Sequence, residues 1–123
     1  MRYLLSVAMA FLAVGLPARA YEIESGTVTI CDTREQVERL VQLLERGQQL
    51  AITVVNAESH DPSACAVVEA EYVPGPRLGM ARSRSEAFQI TEILVVGLNT
   101  PGGYKPVNPA RFFTPVKVKE FAV

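Results

Sequence analysis

The stretch Thr29–Val41, TICDTREQVERLV, decides how this chain is read. It runs from a β-branched segment into a cysteine and then directly into a helical pattern. Thr27 to Cys31 reads as a short strand, because β-branched residues suit a pleated, half-buried surface. Asp32 is an acceptable N-cap, and Glu35 three residues later completes a capping-box pattern. Val37, Leu40, Val41 and Leu44 follow at i, i+3, i+4 and i+7, one apolar stripe of an amphipathic helix. Arg34–Glu38 and Glu35–Arg39 are opposite charges four residues apart on the wet side. Gly47 stands where a C-terminal residue with positive φ belongs, so the spacing predicts a helix from Thr33 to Arg46.

Cys31 therefore lies just ahead of a helix N-terminus, where the dipole favours a thiolate. Its alternative role is half of a disulfide, and the N-terminus of the chain bears on the choice. Arg2 precedes an uncharged apolar run, Leu4–Leu16, which Pro17 breaks before the small-x-small sequence Ala18-Arg19-Ala20. That is the form of a cleavable signal peptide over residues 1–20, followed by a single domain over residues 21–123. As a helix the run reaches about 20 Å, short of a hydrocarbon core of about 30 Å, so no transmembrane segment is expected after cleavage. The chain carries two cysteines, Cys31 and Cys65. An even count behind an export signal reads as one disulfide, and the spacing fits neither CxxC redox chemistry nor a four-ligand zinc site.

The charge balance narrows the partners. Lys and Arg number 12 against 13 Asp and Glu, a net charge of −1, and losing Arg2 and Arg19 with the leader makes the remainder more acidic. A mildly acidic surface argues against nucleic acid, whose binding needs a basic field that releases phosphate counterions.

Beyond the helix, residues 48–57 fit a strand by propensity and a second short helix by the spacing of Leu50, Val54 and Ala57. The helix is the favoured reading. Glu58–Ser63 reads as a turn around Asp61-Pro62. Cys65–Val73 alternates as a strand that Pro74-Gly75-Pro76 is expected to end, leaving Arg77–Glu86 as a basic connection with a short strand near Ala81. Phe88–Leu98 reads as a central strand whose inward parity slips near Glu92 through a bulge. Asn99–Gly103 is a turn, and Phe112–Phe121 a last strand whose Pro115, Lys117 and Lys119 suit a protected edge. The expected fold is α+β: an N-terminal strand and one or two helices packed on a three- to four-stranded, mainly antiparallel sheet.

CDTREQVERLV, VNAESHDPSACAVVEAEYVPGP and ILVVGL together resemble a group of small exported proteins of alphaproteobacteria, rhizobial species among them. The resemblance implies a periplasmic or secreted location and a shared domain. It carries over no activity, cofactor or catalytic residue.

Candidate chemistry is sparse. His60, the single histidine, with Cys31 or Cys65 would make a thiol enzyme. The plain alternative is a solvated histidine in a turn. Glu58, His60 and Asp61 could hold only an adventitious ion, and no cofactor signature is present. Glu69 and Glu71 share a strand face at about 6.6–7 Å, a spacing seen in inverting glycosidases, but any alternating strand produces it and the chain has no Trp to carry a sugar. Arg77, Arg82 and Arg84 form the feature with most binding character: guanidinium groups suited to a carboxylate or phosphate on an envelope polymer, lipid headgroup or partner protein. The expectation is a non-enzymatic exported binding domain, with a thiol- or His-dependent enzyme and a structural envelope component as its alternatives.

Overall fold

The computed structural model describes residues 22–118. The leader, Lys119 and Phe121 lie outside the described residues. The element order is β1 (Glu24–Cys31), α1 (Arg34–Leu43), a 3-10 turn (Leu44–Arg46), α2 (Gln48–Glu58), β2 (Cys65–Arg82), β3 (Ala87–Thr100) and β4 (Gly103–Lys117). All strand pairs are antiparallel: β1 with β2, β2 with β3, β3 with β4, and β4 back to β1 through the single pair Cys31↔Phe113. The sheet thus closes on itself. This is the α+β arrangement expected, and residues 48–58 are helical.

The cap of α1 is one residue later than the sequence pattern placed it. Thr33, not Asp32, is the N-cap: its hydroxyl accepts from the Gln36 N–H at 3.1 Å, and Gln36 Oε1 accepts from the Thr33 N–H at 3.0 Å. Asp32 stands one residue before the cap, where its N–H donates to the Ala64 carbonyl and continues the β1–β2 pairing. Arg34–Glu38 is a loose pair at 4.0 Å. Arg39 turns from Glu35 to grip Glu58 of α2 with two hydrogen bonds, at 3.0 and 3.1 Å. Gly47, at φ 109°, makes the sharp corner between the 3-10 turn and α2, a conformation that strains any residue with a Cβ.

Pro74-Gly75-Pro76 does not end β2. The strand continues to Arg82, with register irregularities between Pro74 and Arg77 and between Arg77 and Gly79. Proline is tolerated where a bulge frees the backbone from the ladder. Gly75 is required there: a Cβ at this position would stand 2.7 Å from the Glu92 carbonyl oxygen. The hairpin after β3 is tighter than Asn99–Gly103: β3 runs to Thr100 and β4 begins at Gly103, so the last strand starts well before Phe112 and includes Pro106 and Pro109.

Two apolar clusters lie on opposite faces of the sheet. The helices bury Val37, Leu40, Val41, Ala51, Ile52 and Val55 against Cys31, Cys65, Ala81, Phe88 and Ile90. The other face gathers Ile30, Ala70, Ile93 and Val95, flanked by Tyr72, Leu98 and Phe112. The parity change along β3 is therefore real, but its cause differs from the expected bulge. Pairing with β4 is unbroken from Phe88 to Val95, and the strand passes from one cluster to the other. The register irregularity on β3 falls later, between Val95 and Gly97.

Candidate functional site

Cys31 and Cys65 are directly opposed on β1 and β2 and form a disulfide, with Cα atoms 4.0 Å apart. The Asp32–Ala64 hydrogen bond makes them a non-hydrogen-bonded pair, the pairing in which facing side chains approach most closely. Both are sealed under the helices, at 0% and 1% exposure. Neither sulfur is available as a nucleophile. His60 lines a cavity of about 720 Å³ that also touches Cys65, Asn56 and Asp61. It terminates α2 in a left-handed conformation (φ 55°), and its N–H donates to the Ala57 carbonyl at 3.1 Å. The Cys–His arrangement required of a thiol enzyme is thus not assembled.

The neighbouring groups have structural employment. Asn56, which the sequence did not single out, accepts from the Cys65 N–H at 2.7 Å and donates to the Pro62 and Cys65 carbonyls at 2.8 and 3.1 Å. It fixes the turn that delivers Cys65 opposite Cys31. Asp61 accepts from the Ser63 N–H and hydroxyl, at 2.9 and 3.0 Å. Glu58 is held by Arg39, which keeps its carboxyl below the usual range. Among the described residues no three His, Cys, Asp or Glu side chains gather as a metal-holding group. Glu69 accepts a hydrogen bond from the Thr27 hydroxyl across the β1–β2 pair.

The three arginines are not on one loop. Arg77 lies within β2, Arg82 is its last residue, and Arg84 is in the turn to β3. That turn is tied to the helical layer, since Glu45 Oε2 accepts from the Ser85 N–H and hydroxyl, at 2.8 and 3.0 Å. What the fold does with Arg77 is different. It lines a cleft of about 890 Å³ at the seam between β1 and β4.

That seam is closed at one end and open at the other. At the closed end Cys31 pairs with Phe113, and the Thr114 hydroxyl donates to the Thr29 carbonyl at 2.6 Å. Gln48 of α2 donates to the Thr29 hydroxyl at 2.5 Å. Beyond Thr29 the strands part. Even-numbered β1 residues bond to β2, so the main-chain groups of Ser25 and Thr27 face the seam, where no described strand pairs with them. Leu40, Leu44, Phe88 and Ile93 supply apolar lining, and Thr29, Thr91 and Thr114 supply hydroxyls.

Charge is concentrated at the rim. Lys117 pairs with Glu86 at 2.7 Å. The Tyr72 hydroxyl donates to Glu24 at 3.4 Å, and partial burial together with that carboxylate raises the phenol above its ordinary value. Arg77 is exposed and has no ion-pair partner among the described residues. Thr91 is its register partner on β3, and the two line the same cleft. Sequence reasoning found Arg77 and missed Thr91, whose position in an apolar run carries no functional signal until the register is known. The chain matches no family model, and no curated protein or solved structure is significantly similar to it.

Proposed function

We propose that this chain is an exported, disulfide-stapled binding domain, not a thiol enzyme, and that it binds at the β1–β4 seam. The cleft carries the proposal: a concavity of about 890 Å³ with mixed lining and an unpaired cation is the form that ligand sites take. Of the three arginines, Arg77 is the one that contributes to it. Export is supported by the intramolecular disulfide, which persists in oxidising compartments. The leader-like N-terminus and the resemblance to exported alphaproteobacterial proteins point the same way.

A fragment screen read by backbone amide NMR tests the binding site. A mixture of anionic, neutral and cationic fragments should yield at least one that shifts amides of Thr29, Arg77, Thr91 and Thr114 together in a saturable way. Shifts clustered elsewhere, or none at any concentration, would remove the seam as the site. Export has its own check: N-terminal sequencing of the protein from its native host should begin at Tyr21, and an intact Met1 would contradict it.

A further inference from the structure

Resting on that reading, we infer that the seam cleft takes a small amphipathic carboxylate. Its head is held by Arg77 and Thr91, and its apolar body lies against Leu44 and Val116, lining side chains that keep exposed surface. Two independent features point to an anionic head. The first is Arg77, which has no carboxylate of its own although acids surround the cleft. Glu86 is taken by Lys117 and Glu24 by Tyr72. Lys117 neutralises Glu86, whereas the Tyr72 phenol leaves the Glu24 charge in place, so the rim is balanced overall; what Arg77 offers is a set of guanidinium N–H donors with no ion pair among the described residues.

The second is Thr91. It is only 9% exposed, yet its hydroxyl has no hydrogen-bond partner among the described residues, while no buried side-chain polar atom is left sealed without a partner. The hydroxyl therefore opens into the cleft. Thr114, its register partner on β4, is the contrast: that hydroxyl is satisfied by the Thr29 carbonyl. Polar groups this enclosed are ordinarily bonded to protein or to something else. A carboxylate can take a forked pair of N–H bonds from a guanidinium and a further bond from the hydroxyl beside it. A phosphate would bring more charge than one guanidinium and one hydroxyl balance at a rim that also holds two acids. The lining also includes accessible apolar side chains, Leu44 and Val116, so burial of a hydrocarbon body adds affinity in proportion to its area. The volume, about 890 Å³, is within the range of about 300–1,000 Å³ usual for small-molecule sites.

The test uses the disulfide-bonded protein, titrated separately with octanoate, 1-octanol and an acetylated, amidated Val-Thr-Val peptide, and followed by amide NMR. Octanoate should shift Arg77, Gln89, Thr91 and Thr114 saturably and bind at least tenfold more tightly than octanol. Arg77→Gln should weaken octanoate about tenfold and leave octanol unchanged. Thr91→Val should weaken octanoate several-fold, and Arg84→Gln should have no effect. Equal binding of octanoate and octanol, or octanoate binding indifferent to Arg77→Gln, overturns the carboxylate head. Peptide shifts confined to Ser25 and Thr27 without octanoate binding would also overturn it, while keeping the seam as a binding site for an extended strand. No response to octanoate, with neutral or cationic fragments still mapping to the seam, would defeat this inference alone. Failure of every fragment there would defeat the binding-site reading beneath it.

Discussion

The two ends of the β1–β4 seam are built from the same two strands and behave as opposites. At the Cys31 end, a disulfide, a strand pair, a threonine-to-carbonyl bond and a covering helix converge within a few residues. At the Glu24 end, the same β1 has no strand partner on its seam side among the described residues, and the gap is lined by side chains of differing polarity. The closed end holds the strands together, and the open end leaves them apart, so a rigid fold and an accessible cleft coexist in a small domain. Rigidity beside the cleft matters for binding, because a site fixed in advance loses less entropy when a ligand arrives.

Breaking the closed end should have the largest effect. Replacing Cys31 and Cys65 together by Ala removes a crosslink spanning 34 residues, which the chain-entropy treatment rates at about 3.5–4 kcal/mol. Urea unfolding under non-reducing conditions should show that loss, against a usual total of about 5–15 kcal/mol. A loss below about 1 kcal/mol would mean that the strand pair and helices close the seam unaided.

Glycine substitutions sharpen the comparison within the strands. Gly75→Ala should destabilise by about 1–3 kcal/mol, since the new methyl meets backbone at the β2 bulge. Gly26→Ala, on β1 toward the open end, meets nothing within 4 Å and should be neutral or slightly stabilising. Equal costs in thermal melts would show that the bulge is not constrained as described.

A smaller effect is expected at Asp32, beside the disulfide. Partial burial, and then the Asp61 carboxylate, raise its carboxyl above the ordinary 3.8. The fold therefore favours the protonated form. Its contribution to stability is present at low pH and is lost as pH rises through the folded value. Asp32→Asn should accordingly stabilise the protein at pH 7, by an increment that shrinks as pH falls below about 4. An increment independent of pH would assign the effect to something other than charge.

Smallest of all should be Arg77→Gln measured as stability, within about 0.5 kcal/mol, because the side chain is exposed and unpaired. A larger loss would make the guanidinium a structural group.

Much of this was legible in the sequence because local physics dominated. The Val37–Leu44 stripe, the even cysteine count and the alternation around Ala66–Tyr72 each reflect a single short-range requirement. The errors arose where tertiary pairing overrode local preference. Strand pairing runs on through Asp32, whose N–H bonds Ala64, and the helix is capped one residue later by Thr33. Pro74-Gly75-Pro76 was absorbed by a bulge because β3 continued on the other side. Arg39 chose Glu58 across the helix pair over Glu35 on its own helix. The candidate site was legible only in part: Arg77 stood out by charge, but its link to Thr91 depends on a register shifted by that bulge, which no local pattern announces.

The claim at the centre of this account, that the seam is shut at Cys31 and open beyond Thr29, is tested most directly by amide hydrogen exchange along β1. Gly26, Val28 and Ile30 bond to β2, whereas Ser25 and Thr27 face the gap. The amides of Gly26, Val28 and Ile30 should therefore exchange slowly and those of Ser25 and Thr27 fast. Ser25 and Thr27 amides protected as strongly as their neighbours would mean a seam paired along its whole length, with no cleft for a ligand to enter.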